Sequence, residues 1–438
     1  MPANTGEAGA RHRVACFVAV RRPDAPAPTG FPAIFERANS MASTAKQQNY
    51  DVVIVGGAVN GSATAYFLAN NPDFKGSLLV IERDWTYNKS ATALSSSSIR
   101  QQFSNPINIE ISKFGAEFVR NFPDLMEVDG DRPDLAFHEN GYLFLGDTKG
   151  YEVLRRLHDT QVSHGADVHL LDPEQLQRKF PWVNIDTLAG ASYGQTGEGW
   201  FDSLGMLNGF RRKARSMGIE YIENEVVSIQ REGDRITGVQ LASGECIGCG
   251  LLVNCAGTRG TKVARMAGLD IPVEPRRRSL FVFDCRTPLE GTVPLTIDPT
   301  GVFFRPEGKF YLGGTYPKHD PEVDFEDFDV MHDEFDEEVW PILAERVPAF
   351  EGIKVVNFWA GHYDFCVLDH NAIVGPHNEV KNFLFCNGFS GHGLQQAPAI
   401  GRGLSELITY GGYRSLDLGA LSYQRVIDNK PFLEDSVI

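Results

Sequence analysis

Residues 51–61 read DVVIVGGAVNG, and few folds need such a stretch. Val52, Val53, Ile54 and Val55 predict a short strand buried on both faces, as in a parallel sheet. The strand breaks at Gly56, and small and apolar residues at helical spacing follow at once. A strand, a tight glycine turn and a helix leave unpaired N–H groups at the helix N-terminus, and these favour a pyrophosphate.

A second strand strengthens this interpretation. Residues 77–84 read SLLVIERD, so that Glu82 lies at the end of a strand, where an acidic residue accepts hydrogen bonds from a ribose. The glycine motif itself reads G-x-A-x-x-G, with Ala58 at a position where glycine is usual. We predict a dinucleotide-binding site; these residues alone do not say which dinucleotide it takes.

Composition narrows the class of protein. The chain has 438 residues, enough for two interleaved domains. Its net charge of -16 argues against nucleic acid as a partner. The longest apolar run near the start, residues 14–20, is too short to cross a membrane, so no transmembrane segment is expected.

The seven cysteines are scattered and odd in number, which does not suggest a disulfide framework. Cys246 and Cys249 form one C-x-x-C without a second pair, and we interpret them as reduced residues of a hairpin. No metal site is predicted.

Residues 1–48 differ in character from the rest. They are rich in arginine, proline and alanine and cannot build a core. We expect this segment to be disordered, with two alternatives for its origin: a mitochondrial presequence, or an upstream start with Met41 as the true first residue. The expected location is cytoplasmic, or the mitochondrial matrix if the chain is eukaryotic and carries a presequence.

The order of signals predicts an α/β fold with a discontinuous cofactor domain. That Rossmann-type domain is expected in residues 49–104, 196–271 and 360–438. A substrate domain built on a mostly antiparallel sheet is expected in residues 105–195 and 272–359. Within it, the acidic segment 320–338 carries apolar residues at helical spacing and predicts an amphipathic helix with a solvated face; a metal or a basic partner is the alternative there.

Several motifs together resemble one family. GGAVNG, IRQQFS, VNCAGTRG, FFRPEGKFYLGG, WAGHYD and GFSGHGLQQAPAIGR are similar to the D-amino-acid oxidase/sarcosine oxidase superfamily of flavoenzymes. Within it, the chain most resembles the FAD-dependent oxidoreductase domain-containing protein 1 type, from about residue 50 to the C-terminus. The resemblance implies FAD as the cofactor and an antiparallel sheet over its ring system.

Together with the two motifs above, the resemblance implies a set of cofactor contacts. A helix N-terminus after the loop GFSGHG would stabilise negative charge on the reduced flavin. The expected FAD-binding residues are Gly56, Gly57, Ala58, Val59, Asn60, Gly61, Glu82, Arg83, Ser97, Ser98, Arg100, Gln101, Val227, Ala256, Gly257, Gly388, Phe389, Gly391, His392, Gly393, Leu394 and Gln395.

The chain also departs from the family pattern. A cysteine that attaches FAD in some members is replaced by Gly361, and residues 89–104 hold no histidine for the alternative bond. FAD is therefore expected to be non-covalent. Lysines that other members use for the substrate carboxylate and for oxygen are replaced by Gln395 and Tyr311, and a histidine by Thr315, although Lys309 lies near Tyr311.

The remaining candidates for substrate contact are Arg100, Tyr311, His362 and Tyr363, with Arg305 a weaker one. A guanidinium suits a carboxylate because it can donate two parallel hydrogen bonds. The resemblance implies oxidation of the C–N bond of an amino acid or N-alkyl amino acid to the imine, by hydride transfer to flavin. O₂, an acceptor protein or a quinone would then take the electrons. Two alternatives remain: an assembly factor for a respiratory complex, and one subunit of a hetero-oligomeric amine dehydrogenase.

Overall fold

The computed structural model describes residues 43–434. The prediction for residues 1–48 lies mostly outside this range. In the described part no helix is both long and apolar enough to span a bilayer.

The described chain alternates strands and helices in its first part and is richer in strands towards the middle. The strands are β1 (Asn49–Val55), β2 (Leu78–Glu82), β3 (Ser98–Ile99), β4 (Tyr142–Gly146), β5 (Val168–Leu171), β6 (Gly190–Gly194), β7 (Gly199–Trp200), β8 (Glu220–Glu223), β9 (Val226–Glu232), β10 (Arg235–Leu241), β11 (Cys246–Asn254), β12 (Val273–Cys285), β13 (Leu295–Ile297), β14 (Phe303–Glu307), β15 (Phe310–Gly314), β16 (Ile353–Cys366), β17 (Ile373–Pro376) and β18 (Phe383–Asn387). The helices are α1 (Val59–Asn70), α2 (Pro106–Arg120), α3 (Phe122–Leu125), α4 (Thr148–Ser163), α5 (Pro173–Lys179), α6 (Ser203–Ser216), α7 (Gly260–Met266), α8 (His332–Glu334), α9 (Trp340–Arg346), α10 (Gly393–Tyr410) and α11 (Gln424–Ile427).

The first sheet is doubly wound, as predicted. Its parallel strands run in the order β8-β2-β1-β11-β18, with β17 antiparallel at one edge and the β9–β10 hairpin beside β11. Successive residues of β1 enter different cores: Val52 and Ile54 pack with residues of α1 and α10, whereas Val53 and Val55 pack with residues of α7. Burial of both faces explains why the strand is an unbroken β-branched run.

The second sheet has the order β16-β12-β15-β14-β13-β4-β6-β5 and is antiparallel except between β13 and β4. Its longest pairing joins β12 to β16, from Val273 opposite Cys366 to Cys285 opposite Ile353. The strands come from both segments predicted for the substrate domain. The predicted boundary at residues 359 and 360, however, falls inside β16, because this strand runs from the second sheet to the cofactor side without interruption.

The amphipathic helix predicted for residues 320–338 is wrong over most of its length. Helical structure is confined to α8, a π turn at Phe335–Val339 and α9, and residues 320–331, here called the acidic strap, have no regular structure. Asp324 and Asp327 accept hydrogen bonds from the backbone N–H two residues ahead. Such local bonds compete with helix formation, and Asp327 and Asp320 also form ion pairs with arginines.

Candidate active site

A cavity lies where the carboxyl ends of the parallel strands meet the second sheet. Its wall includes Val55 of β1, Cys255 just after β11, and Cys386 of β18. Ser279 of β12 and His362 of β16 form part of the opposite wall. Ligands of open α/β sheets bind at this end of the strands, where the chain leaves the sheet in different directions.

The glycine turn after β1 brings the backbone close to its neighbours. Gly56 has φ +98°, and a Cβ there would lie 2.3 Å from the carbonyl oxygen of Cys255. A Cβ on Gly61 would lie 1.9 Å from the oxygen of Gly56. Ala58, the departure from the usual motif, has φ -68° and ψ -166°, which any residue adopts. The turn thus needs glycine at positions 56 and 61 and tolerates alanine at 58.

Two helix N-termini meet this cavity. Ala58, Val59 and Asn60 at the start of α1, and Gly393 and Leu394 at the start of α10, are in the wall. The N-cap residues Ala58 and His392 make no side-chain cap bond, and among residues 43–434 the only side chain that bonds an N–H of these first turns is Thr92, whose Oγ1 accepts from the Val59 N–H at 3.4 Å. The cavity therefore receives N–H groups that helices cannot satisfy internally. Such N–H groups and the helix dipoles suit a bound anion.

Glu82 closes the end of β2, as the sequence indicates, and its carboxylate is in the wall. One oxygen accepts from the N–H of Gly57 at 2.8 Å and the other from the N–H of Asp84 at 2.9 Å. Burial raises the pKa of Glu82, and the two backbone bonds oppose that effect. The carboxylate therefore fixes the glycine turn and retains lone pairs for a ribose hydroxyl.

The cofactor prediction is off by one residue in β9. Val227 is 46% exposed, whereas Val226 is buried and lies in the cavity wall. Two adjacent valines in a strand point to opposite faces, and the sequence VV does not say which one points inwards.

The loop of residues 388–393, here called the flavin loop, is held by a carboxylate that the sequence analysis missed. Asp364 of β16 accepts from the N–H groups of Gly388 and Phe389 through one oxygen, at 2.9 and 3.2 Å. Its backbone oxygen accepts from Ser390 at 3.0 Å. Ser390 and Gly391 have φ +49° and +92°, so these bonds maintain an unusual backbone. Burial raises the pKa of Asp364 to about 6.

Two predicted substrate contacts, His362 and Tyr363, are in the wall. His362 Nε2 bonds the backbone oxygen of Asp327 at 2.6 Å, and its ring stacks on Phe328. Burial lowers the pKa of His362, which favours the neutral imidazole. The ring of Tyr363 leaves no space for a Cβ on Gly391. Both side chains therefore stand between the second sheet and the flavin loop.

Arg278 of β12 is a wall residue that sequence reasoning missed. It forms a two-point ion pair with Asp320 of the acidic strap, at 2.6 and 2.9 Å, and its guanidinium lies near the rings of Tyr316 and Tyr363. Residues 276–278 are three arginines in succession. Because side chains alternate along a strand, the middle arginine points away from the other two. Alternation does not determine which of the two faces is buried.

Arg100 is buried but does not belong to the wall. One guanidinium nitrogen lies 3.1 Å from His392 Nε2, another donates to the backbone oxygen of Gln102, and the group stacks on Phe103. The Arg100 N–H donates to Gln395, which keeps this loop against α10. Arg100 thus supports the flavin loop from behind.

Behind Arg100 lies a second buried carboxylate that the sequence analysis missed. Glu198 accepts from the N–H of Gln101 at 2.6 Å and from the side chain of Gln102 at 2.8 Å. Burial raises the pKa of Glu198 to about 7.

The candidates of β14 and β15 lie elsewhere. Tyr311 packs in the core of the second sheet against Phe283 and Phe350, and its hydroxyl accepts from the N–H of Leu289. This is a correction: the aromatic ring fills a core position and does not reach the cavity. Lys309 is exposed at the β14–β15 turn, and Arg305 donates to the backbone oxygen of Ser96.

The predicted cofactor residues divide into two groups. Those in the wall are Gly56, Ala58, Val59, Asn60, Glu82, Arg83, Ala256, Gly257, Phe389, Gly391, Gly393 and Leu394. Those outside the wall are Gly57, Gly61, Ser97, Ser98, Arg100, Gln101, Val227, Gly388, His392 and Gln395. Most of the second group shape the turns that present the first.

The cavity fits a flavin dinucleotide. Its turn excludes side chains by close backbone contacts, and two helix N-termini supply N–H groups. Asn60 Oδ1 and His362 Nδ1 are buried and have no hydrogen-bond partner among residues 43–434, so both atoms are available to a bound ligand. In the same residues no cluster of three or more His, Cys, Asp or Glu could hold a metal ion.

Cys366, the cysteine nearest to Gly361 in sequence, is fully buried and lies outside the wall. Burial raises the pKa of its thiol to about 12, which suppresses the reactive thiolate. Non-covalent FAD remains a prediction that this placement supports.

Comparisons with known proteins agree with this site. The family model described as FAD dependent oxidoreductase matches residues 51–407. The FAD-dependent oxidoreductase domain-containing protein 1 of Xenopus laevis is 42% identical over 422 residues, covering 89% of this chain and 85% of that protein. Sarcosine oxidase subunit beta of an Arthrobacter species is 26% identical, covering 84% and 89%.

Among solved structures, L-proline dehydrogenase from P. horikoshii has a TM-score of 0.78 and 26% identity, covering 88% of this chain and 99% of that one. The glycine turn, the two helix N-termini and the match over most of the chain lead to one conclusion: the chain belongs to the FAD-dependent oxidoreductase (DAO) family and is an FAD-dependent oxidoreductase.

Proposed function

We propose that the protein oxidises the C–N bond of an amino acid or N-alkyl amino acid, such as a sarcosine-like secondary amine, to the imine. FAD, when bound, supplies the acceptor for the hydride. The observation that carries the proposal is Arg278, a buried cation in the cavity wall on the second sheet.

Arg278 suits a substrate carboxylate. Its two terminal nitrogens hold Asp320, and its Nε has no hydrogen-bond partner in the described part of the chain. A carboxylate oxygen that accepts from Nε would satisfy this atom, and charge-assisted bonds of this kind are among the strongest in proteins. The role that the sequence analysis gave to Arg100 is therefore proposed for Arg278.

The other wall residues orient the amine and do not need to ionise. Burial keeps His362 neutral and raises the pKa of Tyr363, so that its phenol stays protonated. One carboxylate oxygen of Asp364 accepts two hydrogen bonds from the flavin loop. An amine that arrives neutral can be oxidised in such a site without a strong general base.

The names of two similar proteins support the choice of a secondary amine. Sarcosine and L-proline, the compounds named for the Arthrobacter subunit and the P. horikoshii enzyme, both carry a carboxylate beside a secondary amine. The electrons would pass to O₂, to an acceptor protein or to a quinone.

The test is anaerobic mixing of the FAD-loaded protein with a panel of amines. The panel contains sarcosine, proline and glycine, each paired with its decarboxylated analogue. Loss of the oxidised flavin absorbance with a carboxylated secondary amine, and not with its analogue, is the expected result. No reduction by any member of a broad panel would contradict the proposal and favour the assembly-factor alternative.

A further inference from the structure

The acidic strap covers the cofactor cavity. Phe325 and Phe328 of the strap are wall residues. Phe328 stacks on His362 with 4.2 Å between ring centroids, and Lys262 Nζ lies 4.0 Å from the centre of the Phe325 ring. The two aromatic rings therefore contribute directly to the enclosure of the site.

One side of the strap is tied to the second sheet. Arg278 binds Asp320, and Arg277 Nη1 lies 2.9 Å from both carboxylate oxygens of Asp327. The Val323 N–H donates to the backbone oxygen of Pro275 at 3.0 Å. These contacts all go to β12, so they fix the strap to one wall and do not by themselves close the cavity.

Glu326 reaches the other wall. It pairs with Lys89 at 2.6 Å, with Arg83 at 3.4 Å, and with Arg259. Arg83 follows β2, Lys89 lies in the loop before β3, and Arg259 follows β11, so the three cations belong to the cofactor side. All three are also in the cavity wall. We call this group the Glu326 cluster.

We propose that the acidic strap is the outer wall of the FAD site and that the Glu326 cluster holds it closed, so that FAD leaves only when the cluster opens. The inference depends on FAD as the cofactor and not on the proposed substrate. It assigns a role to Glu326, a residue of the strap that the proposed reaction leaves unused.

The cluster is suited to reversible closure. The side chains of Glu326 and Lys89 are 48% and 56% exposed, and exposed ion pairs contribute little individually and weaken with salt. Three cations together hold a carboxylate more strongly than a single partner does. The hydrogen bond from Lys89 and the charges of Arg259 and Arg83 lower the pKa of Glu326 to about 2. FAD release should therefore depend on ionic strength.

The experiment measures FAD release from the holoprotein as flavin that appears in an ultrafiltrate after dilution. At low ionic strength Glu326→Gln should release FAD about 3- to 10-fold faster than the wild type, the effect of losing two or three exposed pairs. Added NaCl should accelerate release from the wild type and change the variant much less. Glu337→Gln removes the same charge from an exposed position beyond the strap and should release FAD like the wild type.

A second variant tests the cluster from its other side. Lys89→Gln should also accelerate release, and the double variant should be no faster than Glu326→Gln alone, because both changes break one contact. Additive effects would mean that Lys89 acts on FAD directly. Unchanged release from Glu326→Gln at low salt would overturn the proposal, because the cluster would then not hold FAD in place. Slower release would also overturn it, because that result is expected if Glu326 mainly repels the FAD phosphates.

Discussion

Two buried arginines near the flavin loop have different surroundings. Arg100 contacts His392, Gln102 and Phe103, whereas Arg278 lies in the cavity wall beside Tyr363. Both are almost fully buried. A buried guanidinium has five N–H groups that need hydrogen-bond partners. The identity of those partners, and not burial, therefore distinguishes an arginine that supports a loop from one that can bind a substrate.

Arg278→Lys tests this difference. Lysine keeps a positive charge opposite Asp320 but loses the planar fork and the Nε donor. We expect KM for a carboxylated amine to rise about 10- to 100-fold, the effect of losing one hydrogen bond between charged groups, with a much smaller change for the decarboxylated analogue. Steady-state kinetics with both substrates measures this.

Arg100→Lys is the matched comparison. It acts through His392 and should affect both substrates alike. A similar loss for both substrates in Arg278→Lys would exclude Arg278 from carboxylate binding.

Glu198 predicts a pH dependence of stability. Its pKa is raised by burial from 4.5 to about 7, so the folded protein holds this proton more tightly than the unfolded chain. The stabilisation is complete below about pH 4.5 and is lost as the pH rises through 7. Glu198→Gln cannot titrate, so its free energy of unfolding relative to wild type should increase by about 2–3 kcal/mol between pH 5 and pH 8. Urea unfolding of both proteins at the two pH values measures this; a constant difference would show that Glu198 is already ionised in the fold.

At the scale of elements, β16 connects the two halves of the site. Its central residues pair with β12, and its end positions Asp364 against the flavin loop. The flavin loop in turn delivers the N-terminus of α10 to the cavity. A single carboxylate oxygen thus aligns a strand, a loop and a helix.

Two substitutions of Asp364 distinguish its role as a hydrogen-bond acceptor from the role of its negative charge. Asparagine can place one oxygen where both N–H groups of Gly388 and Phe389 are accepted, whereas alanine leaves two buried donors unpaired, at about 1–3 kcal/mol each. We expect Asp364→Ala to weaken FAD binding at least 10-fold and to lower Tm, and Asp364→Asn to retain most of both. FAD titration of the apoprotein and thermal unfolding measure the effects; equal losses in the two variants would mean that the charge, not the hydrogen bonding, is needed.

At the scale of the whole molecule, the wall of the site contains positively charged side chains from segments that are far apart in sequence. Lys89, Arg83, Arg259 and Lys262 lie towards the cofactor half, and Arg278 lies on the second sheet. Glu326 pairs with Lys89, Arg83 and Arg259, and Asp320 pairs with Arg278, so four of these five cations have a carboxylate partner. Fast reduction of O₂ by a flavin benefits from an uncompensated positive charge nearby. Of these five cations, Lys262 alone has no carboxylate partner among residues 43–434, and it lies against the Phe325 ring of the acidic strap.

We therefore expect slow reoxidation by air and faster turnover with an artificial dye or quinone. Lys309, the lysine that sequence reasoning left as a substitute, is exposed at a turn and lies outside the wall. Stopped-flow reoxidation of the reduced protein should be slower than dye-dependent turnover and unchanged in Lys309→Met. Reoxidation in air-saturated buffer that keeps pace with turnover would identify an oxidase, and a slower Lys309→Met would place that lysine at the flavin.

Local sequence determined the cofactor half of this protein. The run 52–55 and the glycines at 56 and 61 are adjacent or nearly adjacent in sequence, and Glu82 ends the next strand, at a spacing typical of such sites. Spacing alone therefore predicts a doubly wound sheet and a dinucleotide site. The motif GFSGHG also identifies the loop before α10, because a turn and a helix start are local features. The family resemblance supplied FAD.

Only the tertiary structure decided the rest. Arg278, Asp364 and Glu326 act across 42, 24 and up to 243 residues of sequence, and no local pattern encodes such pairings. Tyr311 and Val227 were expected in the site from the family resemblance, but both lie on strands, where side chains alternate and the sequence does not determine which face is buried. The spacing of apolar residues in the acidic strap predicted a helix. In the structure its carboxylates instead pair with arginines and a lysine on two different walls, and these long-range ion pairs hold the strap over the FAD cavity.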